Sequence, residues 1–455
     1  MKINYNEPIK YIGNNEVNID YYEGQLNRAV GVNNIQVLRA NRENPEEAEG
    51  EGIFVNNKHR YNLLFIFTDQ QRYDTLSVYG NNIIKVPNLN KLAKESVIFE
   101  KAYATQPVCT PSRGTLLTGL YPHNHRCTEN NMRLEEDIPT IAEIIDDKNY
   151  VKGYIGKWHL GDEVIKQHGF DHWVSIEDMY RRHYSKEEYK NILSDYHHLL
   201  TSNKFLPDID ADDIQYFSRY FGTRLPEEYS RPAFVAQKSI EFIRQNKDKR
   251  FILFSAFLEP HPPYNSAYDN YYDPSKVTLP PCFNRELPDN VPLKYKFSAK
   301  YQKEVGRQFP MKDEKAWRKL IARYWGAITL VDNYVGEILE CIKTNGLWDN
   351  TIIVFTSDHG DMMGDYGMLQ KMVMLEPAVR VPLMIRIPGI GKDYMLIKEP
   401  VSQVDLLPTL LDAMGVKTAC KLDGETLMPV IVGGKNTELR DVFIEWTGDE
   451  GERHW

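Results

Sequence analysis

The sequence predicts an α/β fold, with a large, mostly parallel or mixed central sheet covered by helices on both faces. Three observations predict it: short continuous apolar runs recur along the chain, helix-length segments separate them, and chemically reactive side chains follow them directly. LLFIF at residues 63–67, FILFSAF at 251–257 and TIIVF at 351–355 are apolar without alternation, the pattern of strands buried on both faces. VKGYIG at 151–156 is a weaker strand of the same kind. Segments such as 89–97 and 320–343 have the length of connecting helices. The Tyr- and charge-rich interval 174–250 reads as helices and loops inserted between strands, and the chain shows no internal repeat.

Composition narrows the functional classes. A chain of 455 residues accommodates one large α/β domain with attachments, or a few domains of ordinary size. The net charge of -9 argues against broad attraction to nucleic acid or anionic lipid and leaves room only for a local basic pocket. No run of about eighteen apolar residues is present, so no membrane helix is expected. Residues 1–60 are polar and include the acidic stretch NRENPEEAEGEG at 41–52, which reads as a solvated extension. The opening MKINYNEPIKYIGNN lacks the apolar core of a secretory signal. As it stands the chain is expected in the cytoplasm, or in the periplasm or outside the cell if a leader has been removed. Cys109, Cys127, Cys282, Cys341 and Cys420 are widely spaced and show neither CxxC metal spacing nor a disulfide framework, leaving the redox compartment open.

In open parallel sheets ligands bind beyond the carboxyl ends of the strands, so the residues after each apolar run are the ones that matter. LLFIF runs into Thr68-Asp69-Gln70, YIG into Lys157-Trp158-His159, FILFSAF into Glu259-Pro260-His261, and TIIVF into Ser357-Asp358-His359. One such end is unremarkable, because Asp and His often cap a following helix; four together suggest a single site. Asp69, Gln70, Asp358 and His359 offer two carboxylates, an amide oxygen and an imidazole, a donor set for a hard or borderline divalent cation. Lys157, His159 and His261 add positive charge or protons where a transition state would develop negative charge. The bland reading of each taken singly is a surface charge for Lys157 and satisfied core residues for the histidines.

The segment PVCTPSRGTLLTGLYPHNHR is the most specific signal in the chain. Its Cys109-Thr110-Pro111-Ser112-Arg113-Gly114 opens what reads as the first turns of a helix. Alone, Cys109 is open to three readings: a buried structural thiol, a low-pKa nucleophile at a helix N-terminus beside Arg113, or an accident of sequence. The whole Cys-x-Pro-Ser-Arg pattern, with its Gly114 to Gly119 continuation, resembles the signature of the type I, formylglycine-dependent sulfatases of the alkaline phosphatase superfamily. The resemblance extends from about Asn62 to about Pro429, with further motifs in the family's order: FTDQQR, GKWHLG, HPPY at 261–264, and SDHGDMMGDYGMLQK at 357–371, which ends on Lys371. RVPLMIRIPG at 380–389 and VSQVDLLPTLL at 401–411 are similar to a strand and a helix of the family.

This resemblance implies hydrolysis of a sulfate ester, on a carbohydrate or aryl alcohol, by a formylglycine hydrate derived from Cys109. It implies one divalent metal held by Asp69, Gln70, Cys109, Asp358 and His359, with Cys109, Arg113, Lys157, His159, His261 and Lys371 as the catalytic set. Arg113, Lys157 and Lys371 would offset charge on the sulfuryl oxygens, His159 would orient the hydrate, and His261 or a neighbour would protonate the leaving alcohol. Calcium is the family's first metal. Gln70, where a second aspartate is frequent, and His359, where asparagine is frequent, raise the claims of manganese, magnesium or zinc. The implied partners are a sulfated small molecule or saccharide and a formylglycine-generating maturation enzyme, with no nucleic acid or membrane; oligomeric state is left open. Two alternatives stand beside this reading: a phosphonate monoester hydrolase or phosphodiesterase on the same scaffold, and a catalytically silent binding protein. The expected organisation is a polar extension over 1–60, a catalytic domain over 61–430, and the start of a reduced or truncated subdomain over 431–455, with DVFIEW at 441–446 as its first strand.

Overall fold

Each continuous apolar run forms a strand with both faces covered. A computed structural model describes residues 61–209, 215–217, 219–283, 285–305, 313–390, 394–433 and 441–446; the extension expected over residues 1–60 lies outside them. The strands are β1 (Asn62–Thr68), β2 (Val97–Tyr103), β3 (Tyr150–Gly156), β4 (His172–Ser175), β5 (Asp208–Ile209), β6 (Gln215–Tyr216), β7 (Arg250–Ala256), β8 (Thr351–Ser357), β9 (Arg380–Val381), β10 (Leu383–Arg386) and β11 (Met395–Ser402). β5 and β6 make a separate small antiparallel pair. The other nine form one sheet in the order β11-β2-β10-β8-β1-β7-β3-β4, with β9 paired on β2. β10 and β9 run against their neighbours and the remaining pairings are parallel, so the sheet is mixed.

The central strand β1 is buried along its whole length, and successive side chains enter two different cores. Leu64 and Ile66 join Leu253, Ile353 and Phe355 under the helices Arg231–Asn246 and Glu314–Thr344. On the opposite face Leu63, Phe65 and Phe67 pack with Phe254 and Val354 under the helix Leu406–Ala413, and Phe65 stacks on Phe254 at 4.8 Å. Each fully buried Leu or Phe contributes roughly 1.5–3 kcal/mol, which is why such strands need no polar alternation. The long helix starts earlier than its apolar periodicity suggests, because the Asp313 side chain caps it by accepting from the Lys315 N–H at 2.9 Å. The helix predicted over 89–97 runs over Pro87–Ala93, begun by a proline in its first turn.

Register determines what the sheet presents at its carboxyl end. Thr68 pairs with Ser357, and Phe67 with Ala256, so Asp69-Gln70 emerge beside Asp358-His359. Gly156 pairs with Ala256, which brings Lys157 to the same rim. Gly156 has φ +122°, and a Cβ there would lie 2.0 Å from the Ala256 carbonyl oxygen, so only glycine permits this turn.

One expectation is corrected. DVFIEW at 441–446 forms no strand; its Phe443 is exposed and its Glu445 binds elsewhere, so alternation without a free neighbouring strand produces no ladder. The Glu445 N–H donates to the Thr105 carbonyl at 2.7 Å, its carboxylate meets the ring and N–H of His123, and Trp446 lies under Lys294. No helix among the described residues is long and apolar enough to cross a membrane.

Candidate active site and metal centre

The Cys109 helix (Cys109–Thr118) is buried from end to end, and its sequence explains how it is seated. Pro111 falls in the first turn, where its missing N–H costs nothing. The Ser112 hydroxyl lies 2.5 Å from the Asp358 carbonyl and 2.8 Å from Gln403 Oε1, tying the helix to the end of β8. Thr110 Oγ1 donates to the His159 carbonyl at 2.6 Å. A Cβ on Gly114 would come within 2.5 Å of the His125 ring, which is itself fixed through the Pro111 carbonyl and the Cys127 N–H. Gly119 ends the helix in the left-handed conformation, its N–H donating to Thr115 at 2.9 Å.

This seating puts the thiol of Cys109 among the strand-end ligands. Donor atoms of Asp69, Cys109, Asp358 and His359 all lie within 4.8 Å of one another, and all four residues are buried. The sulfur is 3.6 Å from Asp69 Oδ1 and 3.4 Å from His359 Nε2. His359 Nδ1 sits 2.9 Å from the Gly360 carbonyl, a pairing that makes Nδ1 the donor and leaves the Nε2 lone pair facing the cluster. Burial pushes this imidazole down to about 4, consistent with a neutral ligand. Gln70 Oε1 completes the oxygen set, 2.9 Å from Lys371 Nζ.

Three cations surround the two carboxylates. Arg113 spans both, with Nε 3.0 Å from Asp358 Oδ2 and Nη2 3.0 Å from Asp69 Oδ2, while Nη1 donates to the Lys157 carbonyl at 2.6 Å. Lys157 Nζ lies 2.7 Å from Asp69 Oδ2 and 3.9 Å from the Cys109 sulfur. Lys371 Nζ lies 2.8 Å from that sulfur and 3.1 Å from His359 Nε2. Burial alone would raise the Asp69 carboxyl, but Lys157, His261, Arg113 and Lys371 overcome it and hold the group well below the usual carboxylate range. Burial pushes the Cys109 thiol up, and Asp69 adds to that push, so the unmodified sulfur is a poor thiolate.

The donor set fits a divalent cation: the carboxylates of Asp69 and Asp358, one neutral imidazole, an amide oxygen and the residue-109 side chain gather at one place. The ammonium of Lys371 already rests among three of these donors, so the cluster accepts positive charge there. The charge balance, three cations to two carboxylates before any metal, suits a bound tetrahedral anion.

Two predicted residues stand beside the cluster. His159, in the left-handed conformation at φ +58°, turns its ring to Asn131 Oδ1 at 3.2 Å and stacks on Tyr180 at 4.5 Å. Its N–H and that of Trp158 are both taken by the Glu163 carboxyl. His261 is half-buried, its Nδ1 2.8 Å from the Pro262 carbonyl, and its charge acts on Asp69. In the interval 174–250, Tyr184 is buried and Arg181 is engaged with Asp178.

Sequence reasoning missed the supports of this cluster. The Ser357 hydroxyl donates within the β1–β8 rim and accepts from the Gln71 N–H, and Gln403 Nε2 reaches the carbonyls of Ser357 and Asp358. Tyr324 of the long helix donates to the Gln70 carbonyl at 2.7 Å. Asp361 accepts from Gln70 Nε2 and from the Tyr264 hydroxyl, each at 2.6 Å. None of them carries a local signal: Asp361 follows Asp358 by three residues in SDHGD, but its partners Gln70 and Tyr264 lie far along the chain.

Comparison with known proteins bears on the family and the fold. The family model named Sulfatase matches residues 61–416. A second model, a BT_1020-like N-terminal beta propeller, matches residues 7–68, whose described part is β1 of the sheet above. The ulvan-active sulfatase of Formosa agariphila is 31% identical over 384 residues, covering 81% of this chain and 65% of that protein. The arylsulfatase of Clostridium perfringens is 30% identical over 419 residues, covering 87% of this chain and 83% of that protein. Among solved structures, the phosphonate monoester hydrolase from Silicibacter pomeroyi superimposes with a TM-score of 0.68 at 26% identity, covering 84% of this chain and 78% of that one.

Proposed function

The chain belongs to the sulfatase family, and on that premise we propose that it hydrolyses a carbohydrate or aryl sulfate ester, with Cys109 converted to formylglycine beside one divalent cation. The observation that carries the reading is the convergence of the Cys109 sulfur, two carboxylates, a neutral imidazole and three buried or half-buried cations at the carboxyl end of one sheet. When present, the aldehyde hydrate supplies one hydroxyl to attack sulfur and a second to expel sulfate, and the cation supplies Lewis acidity.

In this reading Asp69, Gln70, Asp358 and His359 hold the cation together with residue 109. Arg113, Lys157 and Lys371 neutralise charge developing on the sulfuryl oxygens. His159 orients the nucleophile, and His261, at the half-exposed side of the cluster, gives its proton to the leaving alcohol. Calcium is the family expectation, and the imidazole together with an amide in place of a second carboxylate raises the claims of manganese, magnesium or zinc. The maturation enzyme would act on the chain before folding, because the Cys109 side chain is buried. In this reading the catalytic domain covers residues 61–430, which include the 61–416 matched by the family model.

A second reading, hydrolysis of phosphonate monoesters or phosphodiesters, is favoured by the superposition on a phosphonate monoester hydrolase. The test is a panel of nitrophenyl sulfate, sulfated saccharides and a phenyl phosphonate monoester, using protein co-expressed with a maturation enzyme and loaded with metal. Peptide mass across Cys109 reports conversion. Turnover of sulfates above the phosphonate supports the main reading; a converted, metal-loaded protein that cleaves the phosphonate and leaves every sulfate intact overturns it.

A further inference from the structure

We propose that Asp361, working with Tyr264, is the positioning residue that decides which atom Gln70 offers to the cation. This deepens the metal-centre reading above and rests on it. Gln70 has little freedom except at its amide. Its backbone stands at φ +68°, its N–H donates to Asp358 Oδ1 at 3.0 Å and its carbonyl accepts from Tyr324. Flipping the side-chain amide would exchange an oxygen for an NH2 in the metal shell, replacing a ligand with a group that repels a cation.

Asp361 removes that choice. Its Oδ2 lies 2.6 Å from Gln70 Nε2, and Tyr264 donates to the same oxygen at 2.6 Å. Its Oδ1 accepts from the N–H groups of Met363 at 2.7 Å and Gln370 at 2.9 Å, which fixes the carboxylate in place. Only the NH2 end of Gln70 can face an acceptor this close, so Oε1 turns inward to the point where Lys371 Nζ sits at 2.9 Å. All three residues are buried, so water does not compete. Gln70 and Asp361 thus form a matched pair. A carboxylate at position 70 would confront the Asp361 carboxylate, whereas the amide lets the negative charge stand one step outside the ligands and still fix their geometry.

The test is calorimetric titration of the full chain with Mn2+ and with Ca2+, a readout independent of turnover. Asp361→Asn is isosteric; its amide oxygen can keep both backbone N–H groups while its NH2 meets the NH2 of Gln70 and forces it to flip. Affinity is expected to fall roughly 10- to 100-fold. Adding Gln70→Glu to Asp361→Asn lets the new NH2 donate to one oxygen of the glutamate and leaves the other for the cation, restoring affinity to within a few-fold of the parent. Unfolding midpoints in chelator establish that each variant is folded. Undiminished binding by D361N, or a folded double variant that recovers nothing, overturns the proposal. A parent protein that binds neither ion overturns the cation reading itself, and this inference with it.

Discussion

Replacing Arg113 with methionine tests whether the guanidinium is chiefly a structural counter-charge or chiefly a substrate contact. Arg113 is fully buried, bonded to two carboxylates and a carbonyl, and lies over the Phe67 ring at 4.9 Å. Methionine keeps the apolar contact and removes the charge. Truncating one partner of a buried ionic network costs about 3–5 kcal/mol, because the remaining charge is left uncompensated. Lys157 still serves Asp69, so the cost concentrates on Asp358 Oδ2. In chelator, urea unfolding of R113M is therefore expected to show a loss of about 3–5 kcal/mol. With saturating Mn2+ the loss should shrink, because the variant gains more from an added cation than the parent does. Turnover of nitrophenyl sulfate should stay lower by about 10²–10³ with metal present, since a preorganised donor to the reacting group is gone. R113K, which keeps the charge but cannot span both carboxylates, should recover stability more than activity. Chelated R113M within about 1 kcal/mol of the parent would refute the reasoning, as would an equal loss with and without metal.

Other outcomes follow from the same geometry. Gly114→Ala gains about 1 kcal/mol of helix propensity but forces a Cβ against the fixed His125 ring, at a cost of about 1–3 kcal/mol. Net destabilisation in thermal unfolding is expected, and a stabilised G114A would show that the ring yields freely. Glu163 is pushed up to about 8, by burial first and then by Glu177. The fold thus holds a proton that the unfolded chain releases near pH 4.5, and this share of stability is lost as pH rises through about 8. E177Q should make urea midpoints fall less across that window, and an unchanged pH profile would contradict the assignment. Metal at 100 times its dissociation constant should stabilise the parent by about 2.7 kcal/mol, read as a shift in urea midpoint. No shift with Mn2+ or Ca2+ would count against a cation at this cluster.

The sheet and the strand-end chemistry were legible because they are local. LLFIF, VKGYIG and TIIVF announce buried strands within a few residues, and Asp69, Lys157 and Asp358 follow close behind. The supports were not legible, since their meaning lies in partners far along the chain: Gln70 meets Asp361 across 291 positions, and Tyr264 meets it across 97. A tyrosine in HPPY and an acid in SDHGD look like ordinary polar residues until the sheet brings them together. DVFIEW erred in the opposite direction, as alternation specifies a pleated surface only where a neighbouring strand stands open.

The in-register pairing of β1 with β8 joins positions 289 residues apart. No short fragment can assemble this donor set, so affinity for a cation appears only once the two middle strands have docked, late in a fold rich in long-range contacts. Divalent ions should then leave the refolding rate nearly unchanged and slow unfolding, prolonging the life of the finished enzyme rather than guiding its assembly. A slip of one residue between these strands would turn the ligand pair to the wrong face, making ion uptake a direct readout of a correctly threaded sheet.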